Sequence, residues 1–270
     1  MKKKSKYRIV VLMKQVIDTR RTNNTKETDR SKLPAIINPN DLKALEMALK
    51  IKDIFTETIV FAVSMGPLRA EDILREAVAR GADYGVLLND IRFAGSDTLA
   101  TSYTLSLAIK KIGEIDIILA GRQTIDGDTA HVGPQVALIS KIPQITCVEN
   151  LKIEGNNISA RRRLSDGYEN IVSQLPVVVT AHERAPLCRP VNIRRLIDTR
   201  LDSVKVWSAQ DLDGKLNHFG KEGSRTIVIN SIDIENKNKK AHIFMDSNQD
   251  IYCLLEKLFK ENLISKRPVL

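Results

Sequence analysis

The stretch Ala120-Gly121-Arg122-Gln123-Thr124-Ile125-Asp126-Gly127-Asp128-Thr129-Ala130-His131-Val132-Gly133-Pro134-Gln135 decides how this chain folds. It follows Asp116-Ile117-Ile118-Leu119-Ala120, an apolar run that reads as a buried strand bounded by turn residues. Three glycines, two capping-type residues (Asp128 and Thr129) and Pro134, suited to the first turn of a helix, come next. Glycine lets a backbone approach a ligand closely, and a helix start offers unpaired N–H groups and positive dipole to an anion. Strand, glycine-rich turn and helix start together point to a phosphate or pyrophosphate, so a nucleotide or dinucleotide is the first ligand to consider. The competing reading is a structural turn. Asp126 and Asp128 fit a phosphate poorly, because carboxylates repel it, and suit ribose hydroxyls or backbone capping better.

Outward from this stretch, the first half of the chain alternates strand and helix. Arg8 to Lys14, Glu57 to Met65 and Tyr84 to Leu88 read as strands, with Asp116 to Ala120 the fourth. Between them, Asp41 to Ile54 carries Leu42, Leu45, Ala48, Leu49 and Ile51 at helical spacing, capped by Asn40 or Asp41. Ala70 to Arg80 is a second helix ended by Gly81, and Asp97 to Ile112 a third with Ser96 as its cap. Strands separated by such helices predict an α/β fold: a mostly parallel, doubly wound sheet with helices on both faces. Ligands on such sheets lie beyond the carboxyl ends of the strands. The loops to watch are Gln15 onward, Ser64 to Pro67, Asn89 to Thr98 and Gly121 to Gln135.

Residues 150–172 change character, with short alternating segments separated by Gly155-Asn156-Asn157 and Asp166-Gly167 that read as antiparallel hairpins. Leu175 to Ala181 is a buried strand that rejoins the sheet. Beyond Arg200 the pattern weakens until a final helix from about Gln249 to Asn262, striped with Leu254, Leu255, Leu258 and Phe259. The expected division is therefore a nucleotide-binding α/β domain over 1–200 and an arm over 201–270. The arm either needs a partner surface or is a linker with a docked helix.

The 270 residues suffice for a good core, and 43% apolar with 28% charged content is ordinary for a globular protein. Aromatic residues make up only 4%, too few for base-stacking platforms on single-stranded nucleic acid. The net charge of +9 favours an anionic partner, yet the basic residues are scattered apart from small clusters at Lys2–Lys4, Arg161–Arg163 and Lys237–Lys240. Each cluster reads as a solvated face, so no nucleic-acid partner is expected. Cys147, Cys188 and Cys253 are far apart, which predicts neither a zinc site nor a disulfide framework. Lys2 to Lys6 followed by Ile9-Val10-Val11-Leu12-Met13 starts like a signal peptide, but the run is short and lacks a small-residue cleavage site. No stretch approaches the roughly 20 apolar residues of a membrane helix. These features predict a cytoplasmic protein with no membrane partner and no metal site.

No nucleophile elbow, HExxH, Walker lysine motif or GxGxxG after the first strand appears, and no catalytic side chain is assigned. Asn38-Pro39-Asn40-Asp41 either presents amides to a base or ribose or simply caps a helix. The hydroxyls of Asp97-Thr98-Leu99-Ala100-Thr101-Ser102 either bond a ligand or cap.

Read together, Lys14-Gln15-Val16-Ile17-Asp18-Thr19, Ile37-Asn38-Pro39, Ser64-Met65-Gly66-Pro67, Arg80-Gly81-Ala82-Asp83, Phe93-Ala94-Gly95-Ser96-Asp97-Thr98-Leu99-Ala100-Thr101-Ser102 and Gly121 to Gln135 resemble the β subunit of electron transfer flavoproteins. The resemblance runs in order from residue 7 to about 200, and the last helix also fits.

That resemblance implies a heterodimer with an α subunit carrying its own FAD, and an adenine nucleotide on this chain. Simple members hold AMP; electron-bifurcating members hold a second FAD that exchanges hydride with NADH. The implied site comprises Leu12, Asn38, Pro39, Asn40, Asp41, Met65, Arg122, Asp126, Gly127, Asp128, Thr129, Ala130, His131, Val132, Gly133, Pro134, Gln135, Val136 and Ala137. Asp97, Thr98 and Thr101 look like the FAD-holding type, which favours FAD over AMP. One electron would pass to the α-subunit flavin and an acyl-CoA dehydrogenase, the other to ferredoxin or flavodoxin. The loop from Ala185 to Ile197 would dock the dehydrogenase through Ile193, flanked by Arg189, Arg194 and Arg195; its plain alternative is an amphipathic helix. Departures from the pattern are His131 where glutamine is usual, Arg161 to Arg163 in place of an acidic stretch, and the Gly220 to Thr226 region. A simple AMP-holding subunit and a free-standing nucleotide-binding regulator are the alternatives.

Overall fold

Apolar runs form the centre of one nine-stranded sheet because both of its faces are covered. In the computed structural model, which describes residues 7–18, 33–198, 203–227, 229, 248–261 and 263–264, the strands are β1 (Arg8–Leu12), β2 (Gln15–Ile17), β3 (Ala35–Ile37), β4 (Ile59–Met65), β5 (Tyr84–Leu88), β6 (Ile117–Gly121), β7 (Gln144–Glu154), β8 (Asn157–Arg163), β9 (Tyr168–Gln174), β10 (Val177–Ala181) and β11 (Val204–Trp207). The helices are α1 (Pro39–Ile54), α2 (Glu71–Arg80), α3 (Thr98–Ile112), α4 (Val132–Ser140), α5 (Ile193–Asp198), α6 (Gly220–Gly223) and α7 (Asn248–Lys260). Thr19, the clusters Lys2–Lys4 and Lys237–Lys240 and the end of the last helix at Asn262 lie outside the described residues.

Sheet order is β11-β5-β4-β1-β6-β10-β7-β8-β9, with parallel pairing from β11 to β7 and antiparallel pairing across β7, β8 and β9. Successive strand residues point to opposite faces. Ile9 and Val11 pack with Leu45 and Leu74 of α1 and α2, whereas Val10 and Leu12 pack with Leu105, Ile109 and Val136 of α3 and α4. This is the doubly wound α/β sheet that the strand–helix alternation predicts.

Several boundaries differ. Helix α1 begins at Pro39, two residues before Asp41, because proline suits its first position. Asp97, not Ser96, caps α3, its Oδ1 accepting the N–H groups of Leu99 and Ala100 at 2.9 and 3.0 Å. Strand β7 starts earlier than the hairpin pattern suggests. It pairs parallel with β10 before turning to pair antiparallel with β8, with Cys147 at φ 59° in between. Its alternation breaks at that left-handed residue, which hides the strand. The antiparallel β2–β3 ribbon is too short to stand out.

The chain divides into one unit over 1–227 and another over 228–270. The first extends past the expected boundary near residue 200. Strand β11 adds parallel to β5, and Phe219 is buried against Phe93 with ring centroids 5.3 Å apart. In the second unit α7 buries none of its residues. Among the described residues no helix is long and apolar enough to cross a membrane, and no group of three or more His, Cys, Asp or Glu is placed to hold a metal ion.

Candidate functional site

From β1 the chain proceeds outward to β4 and β5, whereas from β6 it proceeds to β10 in the other direction. The crevice beyond the carboxyl ends of β1 and β6 is thus the topological switch point, where such sheets bind ligands. Here the protein closes its deepest part itself. Asp41, buried in the first turn of α1, accepts the Lys14 N–H at 2.8 Å through Oδ2 and the Gly121 N–H at 3.2 Å through Oδ1. Burial pushes its carboxyl up to about 7, against the opposing pull of Asn38, the two N–H groups and the Lys14 charge.

Asn38 and Asn40 are engaged in the same way. Both side-chain amides donate to the Gln123 carbonyl, at 3.0 and 2.9 Å, and Asn38 Oδ1 accepts the Ile125 N–H at 3.3 Å. The start of α1, with Pro39 in its first position, clamps the loop that follows β6. The two asparagines therefore face the protein and not an open pocket.

The aspartates that suit a phosphate poorly are held too. Lys14 Nζ lies 2.7 Å from Asp126, and the Gly127 N–H donates to the same carboxylate at 2.7 Å. Burial raises the Asp126 pKa, but Lys14, Thr124 and Gly127 outweigh it and hold the carboxyl below its ordinary value. Asp128 accepts a hydrogen bond from Gln123 Nε2.

Beyond them the backbone opens. Asp128 and Ala130 adopt left-handed φ of 51° and 56°, and such alternation turns neighbouring N–H groups to one side, as in an anion-binding nest. Among the described residues, the amides of Thr129, Ala130, His131, Val132 and Gly133 donate to no protein acceptor. They include the first turn of α4, where the dipole adds positive potential. His131 occupies the N-cap with no capping hydrogen bond from its side chain and is exposed.

Gln135 joins this turn to the next wall. Its Nε2 donates to Thr98 Oγ1 at 3.2 Å, and its Oε1 accepts from Ser102 Oγ at 3.0 Å. Thr101 shares that face of α3, its hydroxyl without a partner among the described residues. Asp97 points elsewhere. Its Oδ2 accepts the N–H groups of Arg225 and Thr226 at 2.7 and 3.1 Å, fastening that segment to α3. Leu12, Val136 and Ala137 are buried in the core beneath and support the site without lining it. Gly133 serves packing, since a Cβ there would lie 2.7 Å from Thr180 Cγ2 of β10. Pro134 is the third residue of α4. Met65 ends β4 half-buried, and the Arg122 N–H donates to the Ala181 carbonyl at 2.9 Å.

The electron transfer flavoprotein domain family matches residues 27–209 of the chain. The electron transfer flavoprotein subunit beta of Clostridium acetobutylicum is 40% identical over 259 residues, covering 95% of this chain and 99% of that protein. The chain belongs to the electron transfer flavoprotein β-subunit family. Two further relatives carry more specific names. The caffeyl-CoA reductase–Etf complex subunit CarD of Acetobacterium woodii is 41% identical over 227 residues, covering 83% of this chain and 87% of that one. The acryloyl-CoA reductase electron transfer subunit gamma of Anaerotignum propionicum is 37% identical over 267 residues, covering 95% of this chain and 100% of that one.

The segment that the electron transfer flavoprotein resemblance assigns to docking lies away from this site. Residues 185–192 run along α1 to the amino ends of the strands, where α5 begins beside an open groove of about 670 Å³ lined by Lys52, Gly81 and Asn192. Ile193 is 72% exposed, and Arg194 and Arg195 are exposed beside it. Arg189 differs from the expectation: it turns inward onto Glu46 and Asp53 of α1. Glu46 carries the one signal that sequence reading passed over, an acidic residue inside the apolar run Leu45 to Leu49.

Proposed function

We propose that this chain binds FAD at the carboxyl ends of β1, β4, β5 and β6 and works as the β subunit of a bifurcating electron transfer flavoprotein. The run of open amides from Thr129 to Gly133 carries this reading. Five N–H groups at a helix start and two left-handed residues, with Asp126 paired to Lys14, suit a pyrophosphate. Thr101, on the α3 turn that Gln135 wires to α4, extends the donor set beyond what an adenosine monophosphate requires, which favours the longer nucleotide. Bound FAD would supply the redox chemistry, and the chain supplies position and electrostatics.

In this role the chain holds its cofactor where NADH is the donor and the α-subunit flavin and an acyl-CoA dehydrogenase are acceptors, with ferredoxin or flavodoxin taking the second electron. The relatives named for caffeyl-CoA and acryloyl-CoA reductases support an acyl-CoA-linked partner. The proposed compartment is the cytoplasm. Residues 228–270, with α7, would pack on the α subunit.

Counting nucleotides in the purified heterodimer tests the reading. Two FAD per heterodimer, both reduced by NADH, is the expected result. One FAD with one AMP would replace it with the simple, non-bifurcating subunit, and a stable flavin-free monomer would remove the electron-transfer role.

A further inference from the structure

Glu46 is 5% exposed, on the face of α1 that it shares with Asp53 and that Arg189 covers. A carboxylate in such a place is strongly unfavourable unless it is paired and hydrogen-bonded. Among the described residues its partners all come from one residue. The Arg189 backbone N–H and Nε donate to Oε2 at 3.0 and 3.1 Å, and Nη2 donates to Oε1 at 3.0 Å. The outer edge of the same guanidinium reaches Asp53, two turns along α1, with Nη1 and Nη2 at 3.2 and 2.7 Å from its two oxygens. The planar fork thus bridges two carboxylates on one helix face, which a lysine could not reproduce. The Asp53 carboxyl is held below its ordinary value, mainly by its hydrogen bonds from Arg189.

Three further contacts fasten the same segment. Lys43 Nζ donates to the Ala185 carbonyl at 3.0 Å, Arg80 Nη1 donates to the Arg189 carbonyl, and the Asn192 N–H donates to the Ala79 carbonyl at 3.2 Å. Arg80 is itself held by Glu76 at 2.7 Å. Immediately beyond Asn192, whose Oδ1 accepts the Arg195 N–H at 3.1 Å, α5 presents Ile193 and Ile197 one turn apart, 72% and 78% exposed.

We infer that Glu46 is a positioning residue: by locking Arg189 it fixes the 185–192 segment on α1 and so holds the apolar face of α5 in place for the electron-accepting dehydrogenase. This rests on the proposed docking role of α5. Arg189 contributes no free positive charge to a partner, since two carboxylates share its guanidinium. Steering by charge falls to Arg194, and the apolar contact to Ile193 and Ile197.

The test uses the purified heterodimer with an acyl-CoA dehydrogenase reducing crotonyl-CoA as the partner probe. Glu46→Gln keeps the volume of the side chain and weakens the clasp from the buried side; Asp53→Asn weakens it from the exposed side. Both are expected to speed amide hydrogen exchange in peptides spanning 185–197 by about tenfold, the scale of a lost charge-assisted hydrogen bond. They should also raise KM for the dehydrogenase several-fold, with kcat and flavin content retained. Ile193→Ala is measured alongside. Unchanged exchange and KM in both clasp variants, beside a raised KM in Ile193→Ala, would overturn the positioning role alone. An unchanged KM in Ile193→Ala overturns the docking reading and, with it, the purpose of the clasp.

Discussion

Gly121 and Asp41 are so close that a Cβ on the glycine would lie 2.4 Å from the carboxylate Oδ1, and 2.7 Å from the carbonyl carbon of Asn40. The N–H of Gly121 donates to that same oxygen. Glycine is therefore required at the end of β6 by the protein's own helix, before any ligand is considered. Gly121→Ala forces α1 away from the sheet and is expected to destabilise the fold by about 1–3 kcal/mol, read as a lower urea midpoint at unchanged m-value. A midpoint matching the wild type would show that the helix start yields freely.

The Asp41 carboxyl gives stability an unusual pH dependence. It titrates near 3.8 when unfolded and at about 7 when folded, because burial disfavours its charge. Between those values the folded state binds the extra proton, so this contribution is full below about pH 4 and is lost as pH rises through 7. Asp41→Asn has no such proton. The stability of the wild type relative to the variant should fall between pH 4 and 7 and be flat on either side. Parallel urea midpoints across that range would contradict the assignment.

Asp97 has the opposite sign. Burial raises its pKa, but the N–H groups of Ala100, Arg225 and Thr226 win and hold it low, so its contribution disappears on acidification. Asp97→Ala removes the cap of α3 and the tie to Arg225 together. A loss of about 0.5–2 kcal/mol is expected from the cap alone, with faster tryptic cleavage after Arg225. Asp97→Asn, which keeps a capping oxygen, should recover part of the stability.

Gly133 and Thr180 form a pair that a double-mutant cycle can resolve. A Cβ at Gly133 meets Thr180 Cγ2 at 2.7 Å, whereas Thr180 Oγ1 accepts the Cys147 N–H at 3.1 Å. Gly133→Ala should destabilise the protein, and Thr180→Ser, which deletes only the methyl group and keeps the hydroxyl, should recover most of the loss. Additive effects would place the strain elsewhere.

The parallel core was readable because β1, β4, β6 and β10 are covered on both faces, and this leaves near-continuous apolar runs in the sequence. Strand β11 was not: its four residues form an edge, with Lys205 and Val206 exposed, and its pairing with β5 spans more than a hundred residues of chain. Helix starts were readable only to within a residue or two, because Ser96 and Asp97 are both good caps and only the fold selects between them. For the candidate site, the glycine-rich turn after β6 was legible as backbone. The engagement of Asn38, Asn40 and Asp41 was not, since an amide that holds a distant loop and one that faces a ligand have the same letter. Arg189 misled for a related reason. A basic residue beside an apolar anchor reads as a partner contact until Glu46 is found beneath it.

Strand β7 belongs to two mechanical regimes at once. Its first residues are laddered into the parallel core beside β10, and those after Asn150 form one side of an antiparallel ribbon with β8 and β9, where alternate residues face solvent. The left-handed turn at Cys147 and the register shifts on either side interrupt the ladder between them. Opening of the ribbon therefore need not melt the sheet. Its amides should exchange through a local, low-energy opening, while those from Gln144 to Ile145 wait for global unfolding. The hairpins are expected to open as a unit of their own while the parallel sheet holds the loops after β1 and β6 still.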